Sequence, residues 1–224
     1  MGFVNTISLI IFDMDGLMFN TESLAIYTWI KAGKSYDIHI SESIVEESIG
    51  LDIQGAEKVF KKHLGEDFPY HEIRSLRLKY AREYIDENGI PVKKGLHELL
   101  EFLDQKPVLK AVATSTERER TEHLLLSAGV KDKFDVIICG DDVSNGKPEP
   151  DIFLAAAREL NCEKDECVVL EDSANGIIAA SRANMIPFLI FDIKKPDKTI
   201  GKLAKKTFNS LLEVRDYFQK IEFL

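Results

Sequence analysis

From Gly95 onwards the sequence alternates helical patterns with short apolar runs, and this alternation constrains the fold more than any other feature. Helical spacing at Leu96, Leu99, Leu100 and Leu103 gives way to a β-rich run at Leu109–Ala113, and a helical stretch reaching Ala128 stops before Gly129. Strand, helix and strand follow at Val136–Cys139, Ile152–Leu160 and Cys167–Leu170, then a helix over Ala174–Arg182 and a strand over Pro187–Phe191. Strands separated by helices are joined by right-handed crossovers, which lay them side by side in parallel and put helices on both faces. The expected fold is α/β, a doubly wound parallel sheet.

One more apolar run, Ile7–Phe12, precedes this series and is stopped by Asp13 and Gly16. Between Thr21 and Asn88 the pattern is helical throughout. Ile26, Trp29 and Ile30 share one face, as do Ile44, Val45, Ser48 and Ile49, then Ile53, Ala56 and Phe60, then Ile73, Leu76 and Tyr80. Gly50 and Gly65 read as helix stops. Four helical patterns without a strand predict a small helical domain over residues 18–91, inserted after the first strand of a core formed by 1–17 and 92–224. Leu17–Asn20 and Asn88–Lys94 are the expected hinges.

Several function classes are disfavoured. With 29 basic against 38 acidic side chains the net charge is −9, which argues against general nucleic-acid binding. Cys139, Cys162 and Cys167 are odd in number and lack the paired spacing of a zinc site, so a reducing, cytoplasmic setting is expected. The apolar runs are too short to span a bilayer, and no secretory signal pattern is present. Met1–Thr6 formally fits a myristoylation pattern of loosely specified positions, and Lys194–Lys206 reads as a solvated loop and helix; neither is assigned a function.

In open α/β sheets ligands sit beyond the carboxyl ends of the strands, and here those ends are polar. They present Asp13-Met14-Asp15-Gly16, Thr114-Ser115-Thr116 and Glu171-Asp172-Ser173, with Lys147 between them in sequence. Four carboxylates at one edge repel unless a cation neutralises them, and hard oxygen ligands suit Mg²⁺. Lys147 and Thr114 add a positive charge and a hydroxyl donor, both suited to phosphoryl oxygens. Thr116–Glu119 resembles a capping box, and a helix beginning there would favour an anion beside Thr114 and Ser115. Each motif also has a plainer reading: a polar turn, a helix cap, a turn at Gly146-Lys147-Pro148, an acidic helix start. A P-loop is ruled out by the five residues between Gly140 and Gly146 and by Pro148 in the Ser/Thr position. Together the motifs describe phosphoryl transfer.

In this order and spacing the motifs resemble those of the haloacid dehalogenase superfamily, specifically its phosphatase-like members with a helical cap inserted after the first strand. Asp13-Met14-Asp15-Gly16 looks like the first motif, Thr114 the second, Lys147 in Gly146-Lys147-Pro148-Glu149-Pro150 the third and Glu171-Asp172-Ser173 the fourth. The resemblance implies a Rossmann-like core and an Mg²⁺-dependent phosphomonoesterase. In it Asp13 is the nucleophile that forms an aspartyl-phosphate and Asp15 the acid and base. Mg²⁺ is held by Asp13, the main-chain carbonyl of Asp15 and Asp172, with Glu171 reaching it directly or through water. Thr114 and Lys147 hold the transferring oxygens, and Gly16, Ser115 and Thr116 complete the phosphate-binding set. Asp15 favours phosphorus chemistry, because the dehalogenases that attack carbon do not retain this second acid.

Two alternatives share the motifs. A β-phosphoglucomutase-like isomerase resembles a pattern with a histidine ten residues after Asp15, where this chain has Ala25, and with a cap arginine just after a glycine, where it runs Gly50-Leu51-Asp52-Ile53. A non-catalytic phosphate-binding module would be expected to have lost Asp13 or Asp15. His39, His63, His71, His97 and His123 lack ligand spacing and read as surface or core residues. Arg74 and Arg77 read as a solvated helix face, and Trp29 with Tyr27 as packing inside the cap. The expected partner is a small phosphorylated metabolite, a sugar phosphate first, bound by a monomer without nucleic acid or membrane.

Overall fold

The computed structural model describes residues 7–49, 51, 53–191 and 198–221, with Lys198 and Thr199 in backbone alone. The Met1–Thr6 pattern, the stop at Gly50, the departure at Asp52 and the 194–197 part of the lysine-rich stretch lie outside the described residues. The chain divides into two compact units, Met1–Phe19 with Val92–Leu224, and Asn20–Pro91. Among the described residues no helix is long and apolar enough to cross a membrane.

The first unit is built on six strands, β1 (Leu9–Phe12), β2 (Leu109–Ala113), β3 (Val136–Ile138), β4 (Cys167–Glu171), β5 (Ile186–Ile190) and β6 (Lys206–Phe208). All pair in parallel, in the order β3-β2-β1-β4-β5-β6. Every residue of β1 and β4 is buried, as strands covered on both faces require. Phe12 stands opposite Val112 on one side and Leu170 on the other, so the chain emerges from β1, β2 and β4 at one level.

The second unit holds α1 (Thr21–Lys34), α2 (Glu42–Ser48), α3 (Ile53–Leu64) and α4 (Tyr70–Asn88). Its core is aromatic: the Trp29 ring lies 4.3 Å from Phe60 and 5.5 Å from Tyr70, centroid to centroid. Tyr27 departs from the expectation of internal packing. It is 49% exposed and meets Tyr84 at 5.7 Å at the surface, because it stands two positions from Trp29 on α1 and so faces another side of the helix. Ile53 likewise lies outside the core. His63 and His71 sit at the surface beside Glu47 and Glu57, at 2.7 Å and 3.3 Å. Arg74 and Arg77 are half-buried.

Helices α5 (Leu96–Leu103), α6 (Arg118–Ser127), α7 (Asp151–Glu159), α8 (Ala174–Arg182), α9 (Lys198–Leu203) and α10 (Leu211–Phe218) complete the first unit. Phe153, Ala156 and Ala157 of α7 and Ala179 and Ala180 of α8 pack with Leu9, Ile11, Ala111 and Val169 of the central strands. Small residues let these helices lie close to the sheet. Gly95 opens α5 at φ +93°, and a Cβ there would come 2.1 Å from the Leu212 amide nitrogen of α10. Glycine therefore satisfies both the left-handed backbone and the close approach of two helices. β6 and α10 have no counterpart in the sequence reading: β6 has three residues of which Phe208 alone is buried, too short to display a period.

Candidate active site

Each site residue is placed by the strand end that precedes it. Asp13 follows β1 directly, and its amide donates to the Leu170 carbonyl at 3.0 Å, extending the pairing with β4 by one residue. Thr114 follows β2 and its amide donates to Ile138 on β3 at 3.0 Å. Glu171 closes β4 and is fully buried. The side chains of three separate segments are thus brought to the middle of one sheet edge, where β1 separates the two halves of the strand order.

Lys147 arrives from the loop after β3, and its ammonium group is fully used. Nζ donates to Asp13 Oδ1, to Glu171 Oε1 at 2.6 Å and to the Ala113 carbonyl at 3.1 Å, and it lies 5.0 Å from the centroid of the buried Phe153 ring. The other oxygen of Glu171 accepts from the Ser173 amide and hydroxyl, both at 2.9 Å. Ser173 Oγ in turn accepts from the Gly176 amide at 3.0 Å and so caps α8. A Cβ on Gly176 would fall 1.8 Å from Glu171 Oε1, so the glycine makes room for the buried carboxylate.

One cation inside this cluster faces more than one acid. Burial, with Glu171 and Asp15 nearby, pushes the Asp13 carboxyl up to about 8 even though Lys147 opposes the shift. Burial also acts to lower the Lys147 value, but Asp13 and Glu171 outweigh it and hold the ammonium above its ordinary range. Asp13, Glu171 and Asp172 bring carboxylate oxygens within 4.8 Å of one another. That spacing fits one small hard cation with bonds of roughly 2.0–2.6 Å, and the excess of acid over base supplies the attraction. Asp13 and Asp172 would hold it, with Glu171 beside them. A second group, Cys139, Asp141 and Asp142, has the same spread, but its carboxylates take the Arg118 and Cys139 amides and the Arg118 guanidinium.

The loop Thr114–Thr116 is drawn tight by its own bonds. The Thr116 amide donates to Thr114 Oγ1 at 3.1 Å, which leaves the Thr114 hydroxyl hydrogen available for an acceptor in the site. Thr116 does not cap α6. The helix starts at Arg118, and its N-cap position, Glu117, makes no side-chain cap bond. The expected capping box is therefore absent: α6 starts too late for Thr116 to be its N-cap, and the Thr116 hydroxyl donates to Asp15 Oδ2 at 2.7 Å. Ser115 is exposed, and its carbonyl would lie 2.3 Å from a Cβ at Gly140, a contact that only glycine permits. Gly16 sits at φ +85° in the turn after β1 and donates its amide to Phe19 at 3.0 Å.

Asp13, Lys147, Glu171 and Asp172 thus converge, while Thr114, at the end of the neighbouring strand, is joined to Asp15 through Thr116. Of the supporting residues, Ser173 was already part of the fourth motif, whereas Gly176, Gly140 and Phe153 were not legible as site residues. Ser173 alone, two positions after the acid and just before a helical pattern, carried a signal that marks it.

The pattern of the family described as haloacid dehalogenase-like hydrolase matches residues 10–190. The chain is 32% identical over 189 residues to a phosphorylated carbohydrates phosphatase of Thermotoga maritima, covering 79% of this chain and 81% of that one. It is 31% identical over 178 residues to the validoxylamine A 7'-phosphate phosphatase of Streptomyces hygroscopicus, covering 78% and 81%. Among solved structures, CbbY of Rhodobacter sphaeroides in complex with phosphate superposes with a TM-score of 0.75 at 26% identity, over 93% of this chain and 96% of that one.

Proposed function

This chain belongs to the haloacid dehalogenase-like hydrolase family and is a phosphatase, and we propose that it hydrolyses a small sugar phosphate through an aspartyl-phosphate on Asp13. The observation that carries this reading is the buried contact of Lys147 with Asp13 and Glu171 at the carboxyl end of β1. A carboxylate nucleophile beside a fixed ammonium, with a hydroxyl donor on the next strand end, is the equipment for attack on phosphorus and for offsetting the charge on its equatorial oxygens. The choice of sugar phosphates draws on the phosphorylated carbohydrates for which the Thermotoga maritima phosphatase is named.

In the first step a carboxylate oxygen of Asp13 forms a bond to phosphorus as the bond to the leaving oxygen breaks, and Asp15 gives that oxygen its proton. In the second, a water gives its proton to Asp15 and attacks phosphorus, releasing phosphate and restoring the Asp13 carboxylate. Lys147 and the Thr114 hydroxyl face the charge on the transferring oxygens in both steps. A bound Mg²⁺ would supply further positive charge to those oxygens, with Asp13 and Asp172 as its side-chain ligands and Glu171 and the Asp15 carbonyl beside them. The proposal includes action as a monomer in the cytoplasm.

The test is phosphate release from a panel of phosphomonoesters with and without Mg²⁺, beside an Asp13→Asn variant. Release that needs Mg²⁺ and is abolished in the variant supports the reading. No release, with interconversion of β-glucose 1-phosphate and glucose 6-phosphate, replaces it with the mutase.

A further inference from the structure

The hydroxyl of Thr116 has one hydrogen, and it is directed at Asp15 Oδ2, 2.7 Å away. The sequence alone suggests that this hydroxyl contacts the substrate's phosphate, but a hydrogen donated to a carboxylate is not available to a phosphoryl oxygen. The backbone that carries the hydroxyl is held at several points. Its amide is on Thr114 Oγ1, and its carbonyl accepts from the Gly140 amide at 2.9 Å and from the hydroxyl of the fully buried Thr121 at 3.4 Å. Asp15 lies on the turn after β1, and the bond from Thr116 is the hydrogen bond its carboxylate receives among the described residues. Both residues belong to the sheet-bearing unit, so the bond forms without any contribution from the helical unit.

We propose that Thr116 is the positioning residue for Asp15: it fixes one carboxylate oxygen, leaving the other for the proton exchanged with the leaving oxygen and with water. The inference rests on Asp15 being the acid and base of the phosphatase proposed above. Thr116 itself touches no reacting atom. Because Thr114 and Thr116 are joined by a hydrogen bond, the donor to the phosphoryl group and the orientation of the acid are set by one three-residue loop. A misplaced proton donor costs rate in proportion to how much the leaving group needs the proton, since orientation is a large part of what such a group contributes.

This gives a test by leaving group. A hexose 6-phosphate expels an alkoxide, which needs the proton; p-nitrophenyl phosphate expels a phenolate, which does not. In Thr116→Val, kcat/KM for the hexose phosphate is expected to fall about tenfold or more, against less than about threefold for p-nitrophenyl phosphate. Thr116→Ser, which keeps the hydroxyl, is expected to return both close to wild type. The ratio of the two values does not depend on how much of the variant is folded, and Thr116→Ala is expected to change it in the same direction. Equal losses on both esters would mean that Thr116 contacts the phosphate, and no loss on either would mean that the bond is idle; each overturns the proposal. Crystal structures of wild type and Thr116→Val add a readout that needs no turnover: in the variant Asp15 is expected to leave the conformer that the Thr116 bond holds, and an unchanged conformer overturns the inference. If wild type hydrolyses neither ester, the proposed function fails, while the Asp15 conformer still decides the role of Thr116.

Discussion

Lys147 and Glu171 meet at 2.6 Å with the carboxylate sealed from solvent, so the lysine that faces the nucleophile is anchored from behind by a charge the substrate does not reach. Removing one partner of such a pair leaves the other buried and uncompensated. Lys147→Ala is expected to destabilise the chain by about 3–5 kcal/mol, and the Lys147→Ala/Glu171→Gln double variant by clearly less than the sum of the two single changes. Urea denaturation of the four proteins checks this. Additive losses would show that the two charges stand independently.

Gly176 and Gly201 both lie in helices, and their environments predict opposite responses to one substitution. Alanine is favoured over glycine in a helix by roughly 1 kcal/mol, and a Cβ on Gly201 meets nothing within 4 Å. Gly201→Ala is therefore expected to raise Tm slightly. Gly176→Ala drives a methyl into Glu171 and is expected to lower both Tm and phosphate release, the latter by tenfold or more. Thermal melts and a phosphate assay on the pair decide it.

Asp13 couples stability to pH. Its folded-state value of about 8 lies above the ordinary aspartate value of 3.8, so between these limits the folded chain keeps a proton that the unfolded chain releases. Its contribution is complete below pH 3.8, is lost as pH rises toward 8, and changes little beyond. Melts in EDTA from pH 5 to 9 are expected to show a downward slope in wild type relative to Asp13→Asn. Added Mg²⁺ is expected to raise Tm more at pH 8 than at pH 5, because at low pH it must displace the proton. Parallel slopes for the two proteins would remove Asp13 from the pH response.

The three cysteines are expected to label in a definite order. Burial pushes the Cys167 thiol up to about 12 and raises that of Cys139, whereas Cys162 is only half-buried. At pH 8 a thiol reagent is expected to modify Cys162 first in the native chain, and Cys167 only after unfolding. Mass mapping of the labelled peptides gives the order directly.

That the motifs share one edge was legible because an all-parallel sheet sends every strand's carboxyl end to the same side; that they are neighbours there follows from β1 lying between β2 and β4. What the side chains then bond to was less legible. Thr116 has the local pattern of a helix cap, yet α6 starts only at Arg118, and the Thr116 hydroxyl donates to Asp15, 101 residues away in sequence. Glu171 reads as an acid at a strand end, and it does close β4; its full burial was not legible, because Lys147, Ser173 and the missing side chain of Gly176 together accommodate it. β6 shows the limit of periodicity, since three residues with one buried side chain carry no pattern.

The chain leaves the sheet-bearing unit after Phe19 and re-enters it at Val92, and these two residues form an antiparallel bridge. Asn20 and Pro91, the first and last residues of the helical unit, are themselves joined by a 2.8 Å backbone hydrogen bond. Seen from the sheet, the whole of α1–α4 occupies the place of a hairpin tip. Once the insert has closed its own ends, the connection from β1 to β2 reduces to residues 13–19 and 92–108, a crossover between parallel strands that includes α5, and the entropy of the long insert opposes their pairing far less. A stretch that looks in sequence like a long interruption of the sheet becomes, when folded, a side branch on an ordinary crossover.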